Sequence, residues 1–482
     1  MDYYIEFYEV IDEVFLEFTN SLHTKRPLWL KFNRFSLQEV VISQLYMHSL
    51  SVGWKEKYNK SRLEGVSSLE LKQTFFDELE NVFGIKDILS DTGKIETDFE
   101  ELEKALIPYK NRIVFYLFNY RQLTQLNNLI GQINEPILIW ADFNISDEEA
   151  EQFPNNVTFL EIELFKTHSF SNPYFLQKFP LMFYYLNSFN LFIKYLKPVC
   201  IVFLEGCHPQ AKCLNIVSKE YKIPTICIQQ GWPSLFHTLY RRMEYDYYLT
   251  WGKAFNEWWK LYNPKQKYKE VGYIHKVESS PDNDSLSKQK ITFFLQSPVF
   301  LSDDNYFNRM LCLIETTAKL FPDRVIQVKE HPEYKISEGF IKRYSYYKNI
   351  FIVSNKPIDK VFNESLITVS HFSTTSIESM LYNCIPLIFD PTTNSEYYPY
   401  IESLGVGYCT KSEEEFINKV QLILDNNKQA KLIKRIGEIK QNLFCDYNES
   451  AIDKIIYFIK NVSLKVNTNE ISQLPSTRCY EL

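Results

Sequence analysis

Residues 366–390, LITVSHFSTTSIESMLYNCIPLIFD, read as a strand, a hydroxyl-rich turn, a short helix and a second strand. The turn from His371 to Ser376 sets Ser373, Thr374 and Thr375 beside the unpaired N–H groups of a helix N-terminus, where the partial positive charge favours a phosphate. The same residues fit a plainer role. Thr375-x-x-Glu378 has the spacing of a capping box, in which both side chains merely close the helix. A second candidate is Lys329-Glu330-His331, at the end of a predicted strand that Pro332 stops. A His beside a Lys there can neutralise a departing phosphate, or it can be a satisfied structural residue. Gln296 and Ser297 end a third predicted strand and are candidates for the same phosphate site. A separate group lies earlier in the chain. Glu205 precedes Gly206, which permits a tight turn or a close substrate approach, and Gln229, Gln230 and Gly231 follow the next strand. Glu205 is suited to take a proton from an acceptor hydroxyl, or to serve as a cap or ion-pair partner. Gln229, Gln230 and His237 offer uncharged groups suited to polyols or sugars.

Other chemistries lack their motifs. The sequence contains no GxxxxGK[ST] phosphate loop, no GxSxG elbow and no HExxH pair. Gly405-Val406-Gly407 lacks the third glycine of a dinucleotide fingerprint, and Asp303-Asp304 reads as a loop rather than a metal-binding DxD. Cys207 and Cys213 with His208 have no second Cys/His pair at zinc spacing, so no metal site and no cofactor are expected beyond a nucleotide-sugar substrate.

These residues need elements to hold them. At roughly 150 residues per domain, 482 residues suggest about three folding units. With 45% hydrophobic and 16% aromatic residues, the chain has material for packed cores. Fifty-three Lys and Arg against 60 Asp and Glu give a net charge of -7, which argues against a nucleic-acid surface while leaving room for a local anion site. Nine scattered Cys argue against a disulfide framework and for a reducing compartment. The acidic, aromatic start is unlike a secretory signal, and no apolar run approaches the roughly 20 residues of a membrane span. The expected location is the cytoplasm, and peripheral association with the inner face of the plasma membrane is compatible with the sequence.

Residues 1–105 carry apolar residues at three- and four-residue steps and read as a helical accessory region. From 106 to 275, strands at 112–118, 136–143, 157–164, 199–206, 225–231 and 246–252 alternate with helices, the pattern of a covered parallel sheet. The polar stretch 276–290 reads as a linker. A second α/β domain then spans 291–465, with strands at 291–297, 324–330, 349–354, 366–370 and 385–390, followed by a tail at 466–482. Two such domains would face each other across a cleft, with ligands at the strand C-terminal ends.

The order of Glu205-Gly206, Gln229-Gln230-Gly231, TWG at 250–252, Gly272, His331-Pro332 and the Ser/Thr turn resembles the GT-B glycosyltransferases, built of two Rossmann-like domains. Within them it is most similar to bacterial capsular and surface polysaccharide transferases, the group around polysialyltransferases, Kdo transferases and CDP-glycerol glycerophosphotransferases. The resemblance covers roughly 195–465. It implies that His331 contacts the donor phosphate and assists its departure, that Ser373, Thr374 and Thr375 ligate it, and that Glu378 binds the donor ribose. It implies Glu205 as the general base toward a glycan or glycolipid acceptor, and a donor such as a CMP-activated nonulosonic acid or Kdo. One acid stands before Gly206 where that family shows two, and Gln230 stands where many relatives have His. A 2-epimerase-like enzyme on the same fold and a non-catalytic assembly scaffold are the alternatives.

Overall fold

The computed structural model describes residues 3–25, 30–32, 34–83, 99–160, 174–231, 238–275, 277, 289–296, 304–331, 335–371, 373–391, 401–447 and 449–468. Ser297, His237, Asp303, Pro332, most of the expected linker and the end of the tail lie outside them. The chain forms two compact units. One comprises Ile5–Gln230, His237–His275 and Asn448–Leu482, the other Met1–Tyr4, Gly231–Phe236 and Lys276–Tyr447.

In the first unit, a small hairpin of β1 (Lys31–Phe32) and β2 (Phe35–Ser36) precedes the main sheet. That sheet has seven parallel strands, β3 (Ile113–Leu117), β4 (Ile137–Ala141), β5 (Val157–Leu160), β6 (Cys200–Leu204), β7 (Thr225–Ile228), β8 (Tyr247–Thr250) and β9 (Tyr268–Glu270). Their order is β5-β4-β3-β6-β7-β8-β9. Every residue of β3, β6 and β7 is buried, as strands covered on both faces require. β9, YKE, escapes the sequence reading because an edge strand of three polar residues carries no apolar signal.

The N-terminal helical extension packs on this unit. The helix Gln38–Ser51 buries Val40, Val41, Ile42, Leu45 and Tyr46, so it has almost no solvent face, and it packs on the helices Tyr174–Leu196 and Pro209–Glu220. Trp54 stacks on Phe75 at 4.4 Å and donates its indole N–H to Glu78 Oε2 at 2.9 Å, closing the aromatic core of this layer. The expected end of the second domain at 465 differs. Helix Glu449–Thr468 returns to the first unit, where Ile452, Ile455, Ile456, Ile459 and Val462 join the core formed by Ile113, Phe115, Val202 and Ile226. Its apolar stripe recurs at steps of three and four, and the sequence could not say which sheet it covers.

The second unit holds six parallel strands, β10 (Lys290–Phe294), β11 (Ile326–Lys329), β12 (Ile350–Ile352), β13 (Ser365–Ser370), β14 (Ile385–Phe389) and β15 (Tyr408–Thr410), in the order β12-β11-β10-β13-β14-β15. β10 pairs with β11 from Ile291↔Ile326 and with β13 from Ile291↔Ile367. In both sheets the strand order reverses once, between β3 and β6 and between β10 and β13. Those reversals are topological switch points, outside whose strand C-terminal ends open α/β sheets generally bind ligands. No described helix is long and apolar enough to cross a membrane, and the eight described cysteines are free.

Candidate functional site

In the first unit the switch point is strapped by Gln122, which is fully buried. Its Oε1 accepts from Phe118 N at 2.7 Å, just beyond β3, and its Nε2 donates to Leu204 O at 3.0 Å, at the end of β6. One side chain thus fixes both strand ends. Glu205 follows immediately. Glu205 and Gly206 both have positive φ, 69° and 64°, a left-handed pair that turns the chain sharply. Glu205 N donates to Ile228 O at 2.9 Å and holds this turn against β7.

The Glu205 carboxylate is half-buried. Tyr240 donates its hydroxyl to Oε1, and His208 Nε2 lies 3.8 Å from Oε2. Burial alone raises this carboxyl, but the hydrogen bond and charge of His208, the Tyr240 hydroxyl and the Arg121 charge outweigh burial and hold it below the ordinary glutamate value. Glu205 is therefore ionised at neutral pH. The His208 ring stacks on Phe118 at 4.3 Å and 16°, which spans the switch point from the β3 side. His208, Tyr240 and Arg121 carry no sequence signal for this role, since each is a single residue on a different segment.

Tyr240 is positioned in turn by the N-terminal helices. The two residues after it, Arg241 and Arg242, both reach Asp12 Oδ2, Arg241 Nη1 at 3.4 Å and Arg242 through a hydrogen bond. The pair Gln229-Gln230 is used differently from the sequence reading. Gln229 is fully buried and its Oε1 accepts from Trp251 N at 2.9 Å, a structural link from β7 to the TWG segment. Gln230 Nε2 donates to Gln125 Oε1 at 2.7 Å, leaving its own Oε1 without a protein partner.

In the second unit, β11, β10 and β13 are adjacent and parallel, so His331, Gln296 and Ser373 emerge at the same sheet edge. His331 and Gln296 are half-buried, as are Ser373, Thr374, Thr375 and Glu378. Ser297 is outside the described residues. The capping-box alternative is not realised. Thr374, not Thr375, stands at the N-cap position, with helical φ and ψ and no side-chain cap bond, and the α-helix runs only over Thr375–Glu378 before a 3-10 turn at Ser379–Tyr382. Ser373 Oγ instead bonds Thr375 Oγ1 and accepts from Thr375 N at 3.3 Å, while Ser376 Oγ bonds Ser370 Oγ at 2.6 Å in the interior. Gly231 clusters with this unit, where a Cβ added to it would stand 2.9 Å from Thr374 Oγ1.

The Lys329 ammonium is turned to the loop after β12. Its Nζ donates to Ser354 O at 2.5 Å, Lys356 O at 2.8 Å and Val353 O at 3.3 Å, which uses all three ammonium donors on the loop after β12. Glu330 is likewise structural, accepting from Ile336 N at 2.7 Å and from the Ser354 hydroxyl. Both therefore shape the loop that carries His331.

No protein-family model matches the chain, and no curated protein does. Solved structures do. Phytolacca americana UGT2, complexed with UDP-2fluoro-glucose and pterostilbene, matches with a TM-score of 0.51 at 9% identity, over 73% of this chain and all of that one (100%). The UDP-GlcNAc 2-epimerase of Neisseria meningitidis, bound to UDP-GlcNAc, gives 0.49 at 12% identity, covering 73% of this chain and 100% of its own. The UDP-GlcNAc 2-epimerase of Methanocaldococcus jannaschii, in complex with UDP-GlcNAc and UDP, gives 0.47 at 14% identity, covering 73% and 99%. At 9% identity the likeness to the first of these shows architecture alone, and with the two switch-point sheets above it establishes the fold: the chain has the GT-B fold, two Rossmann-like α/β units with an N-terminal helical extension.

Proposed function

We propose that this protein acts on a nucleotide sugar, as a glycosyltransferase that moves the sugar to a hydroxyl of a bacterial surface glycan or glycolipid. The observation that carries the proposal is Glu205, an ionised carboxylate at the switch point, oriented by Tyr240 and His208. In the reaction the acceptor oxygen forms a bond to the anomeric carbon while the bond from that carbon to the phosphate oxygen breaks. The acceptor proton passes to Glu205, and the nucleotide leaves with its negative charge on the phosphate. His331 and the Ser373–Thr375 hydroxyls of the second unit are the groups proposed to receive that charge, so no metal is required. Inversion at the anomeric carbon is the expected outcome. By the resemblance of its motifs, the reaction belongs to capsule or surface polysaccharide assembly on the cytoplasmic side.

Incubation with CMP-, CDP-, UDP- and GDP-activated sugars, with and without acceptor glycan, tests this. Acceptor-dependent nucleotide release is the expected result. Acceptor-free isomerisation of the sugar would make the protein 2-epimerase-like, and no turnover with any donor would make it a scaffold. His331→Ala should abolish turnover with the fold intact. Glu205→Gln should reduce transfer far more than donor binding; an equal loss of both would mark Glu205 as structural.

A further inference from the structure

We propose that Glu205, Cys207 and His208 form a binding site for a divalent cation of the zinc class, and that occupancy of this site silences Glu205. The carboxylate oxygen, Sγ and ring nitrogen of these residues all lie within 4.8 Å of one another. Ligand atoms bonded to a tetrahedral Zn2+ at about 2.0–2.3 Å stand roughly 3.3–3.8 Å apart. Glu205 Oε2 and His208 Nε2, at 3.8 Å, are a few tenths of an ångström beyond the roughly 3.3–3.5 Å of a bound oxygen and nitrogen. With all three atoms within 4.8 Å, closing the set takes side-chain shifts of up to roughly 1 Å, which torsional adjustment supplies.

The backbone explains how three such close neighbours in sequence converge. In an extended strand, residues 205 and 207 share one face and 208 takes the other. The left-handed pair Glu205-Gly206 breaks that alternation and brings all three side chains to one side. Glu205 is a non-glycine residue in this conformation, which costs roughly 1–2 kcal/mol. Stacking on Phe118 fixes the imidazole. The Tyr240 hydroxyl occupies Oε1 of Glu205, which leaves Oε2, the oxygen nearer His208, for the metal. Cys213, the thiol that spacing alone suggests as a partner, lies on the helix Pro209–Glu220 and is not in the cluster.

The donor set selects the ion. One sulfur, one nitrogen and one oxygen suit Zn2+ and its borderline neighbours, whereas Mg2+ and Ca2+ demand oxygen ligands throughout. Charge supports the same class. A thiolate and a carboxylate cancel the two positive charges, so the loaded site is neutral and adds no net charge beside Arg121 and Lys212, whose cations hold Glu205 and Cys207 toward their ionised forms. Binding requires Cys207, a buried thiol, to release its proton to solvent as the S–metal bond forms. No oxidation occurs. With Oε2 coordinated and Oε1 accepting from Tyr240, the carboxylate loses most of its basicity toward an acceptor proton, so the metal is an inhibitor rather than a cofactor. The site assignment does not depend on which donor or acceptor the protein uses.

The test uses the full-length protein freed of metal with a chelator and titrated with Co2+. One equivalent should produce a sulfur-to-cobalt charge-transfer band in the near ultraviolet, bleached by Zn2+. Cys207→Ser should remove the band, and His208→Ala should weaken binding at least ten-fold. Cys312→Ser, which changes the one exposed thiol among the described cysteines, should leave the band intact. X-ray absorption at the zinc edge of the unmutated protein is independent of any variant's folding and should show a single sulfur neighbour at about 2.3 Å with nitrogen or oxygen at about 2.0 Å. Failure to bind Co2+, a zinc shell without sulfur, or a band lost with Cys312→Ser but not with Cys207→Ser would each overturn the assignment.

Discussion

Replacing Gly206 with Ala isolates the turn on which the first unit's site depends. Gly206 has φ 64°, and an added Cβ would stand 2.7 Å from Cys227 Sγ, 2.7 Å from Tyr245 Oη and 2.8 Å from Tyr245 Cζ. Neither neighbour can yield easily. Cys227 is fully buried within β7, and the Tyr245 hydroxyl donates to Gly206 O. The left-handed backbone costs an alanine about 1–2 kcal/mol, and overpacking in a closed interior adds roughly 1–3 kcal/mol. Together these destabilise the unit by roughly 2–5 kcal/mol, or about 4–10 °C in the melting transition of a unit this large. Calorimetry measures the shift, and hydrogen exchange by mass spectrometry should show β6 and β7 losing protection. A double-mutant cycle sharpens the reasoning. Cys227→Ala removes one overlapping atom, so G206A should cost less in that background, with the left-handed term remaining. A melting transition unchanged within about 1 °C would refute the steric account of the Glu205-Gly206 turn.

Three further outcomes follow from the same contacts. Lys329→Met strips three carbonyls of their donor and should cost the second unit about 1–3 kcal/mol while nucleotide affinity changes little; selective loss of nucleotide binding with unchanged stability would restore Lys329 to the site. Glu364 is held at about 2, where burial raises its carboxyl but Lys290, Lys356 and Gln327 together lower it further. Because its folded value is depressed, its contribution is present above the ordinary glutamate value and is lost as pH falls toward about 2. Glu364→Gln should therefore flatten that acid limb and cost about 1 kcal/mol at pH 7, a figure discounted for its partial exposure, as denaturant titration across pH would show. Finally, Ile459→Ala, in the last helix, should cost about 2–5 kcal/mol in the transition of the first unit; a shift in the second unit's transition alone would show that the helix is misassigned.

What the residues alone determine here is the fold class and the strand ends. β3 and β6 are apolar on both faces, as a covered parallel sheet requires, and the polar residues just beyond such strands must collect along one sheet edge. That much places Glu205, His331 and Ser373 without a structure. Tertiary structure decided which of the neighbouring polar groups remain for chemistry. Lys329, Gln229 and Glu330 sit at strand ends as the site requires, yet backbone groups from the loop after β12, the TWG segment and the loop after β11 take up their hydrogen bonds. Sequence spacing cannot reveal such partners, because they lie as far as 27 residues away. The same holds for what surrounds Glu205. Asp12 sets Arg241 and Arg242, these follow Tyr240, and Tyr240 holds the carboxylate, a chain of contacts over more than 200 residues. A left-handed backbone at Glu205 and Gly206 is equally a product of packing against β7 and Tyr245, and it alone brings Cys207 and His208 to the carboxylate. Local sequence supplies the periodicities and the donors, whereas long-range closure of the chain determines which donors are already spent.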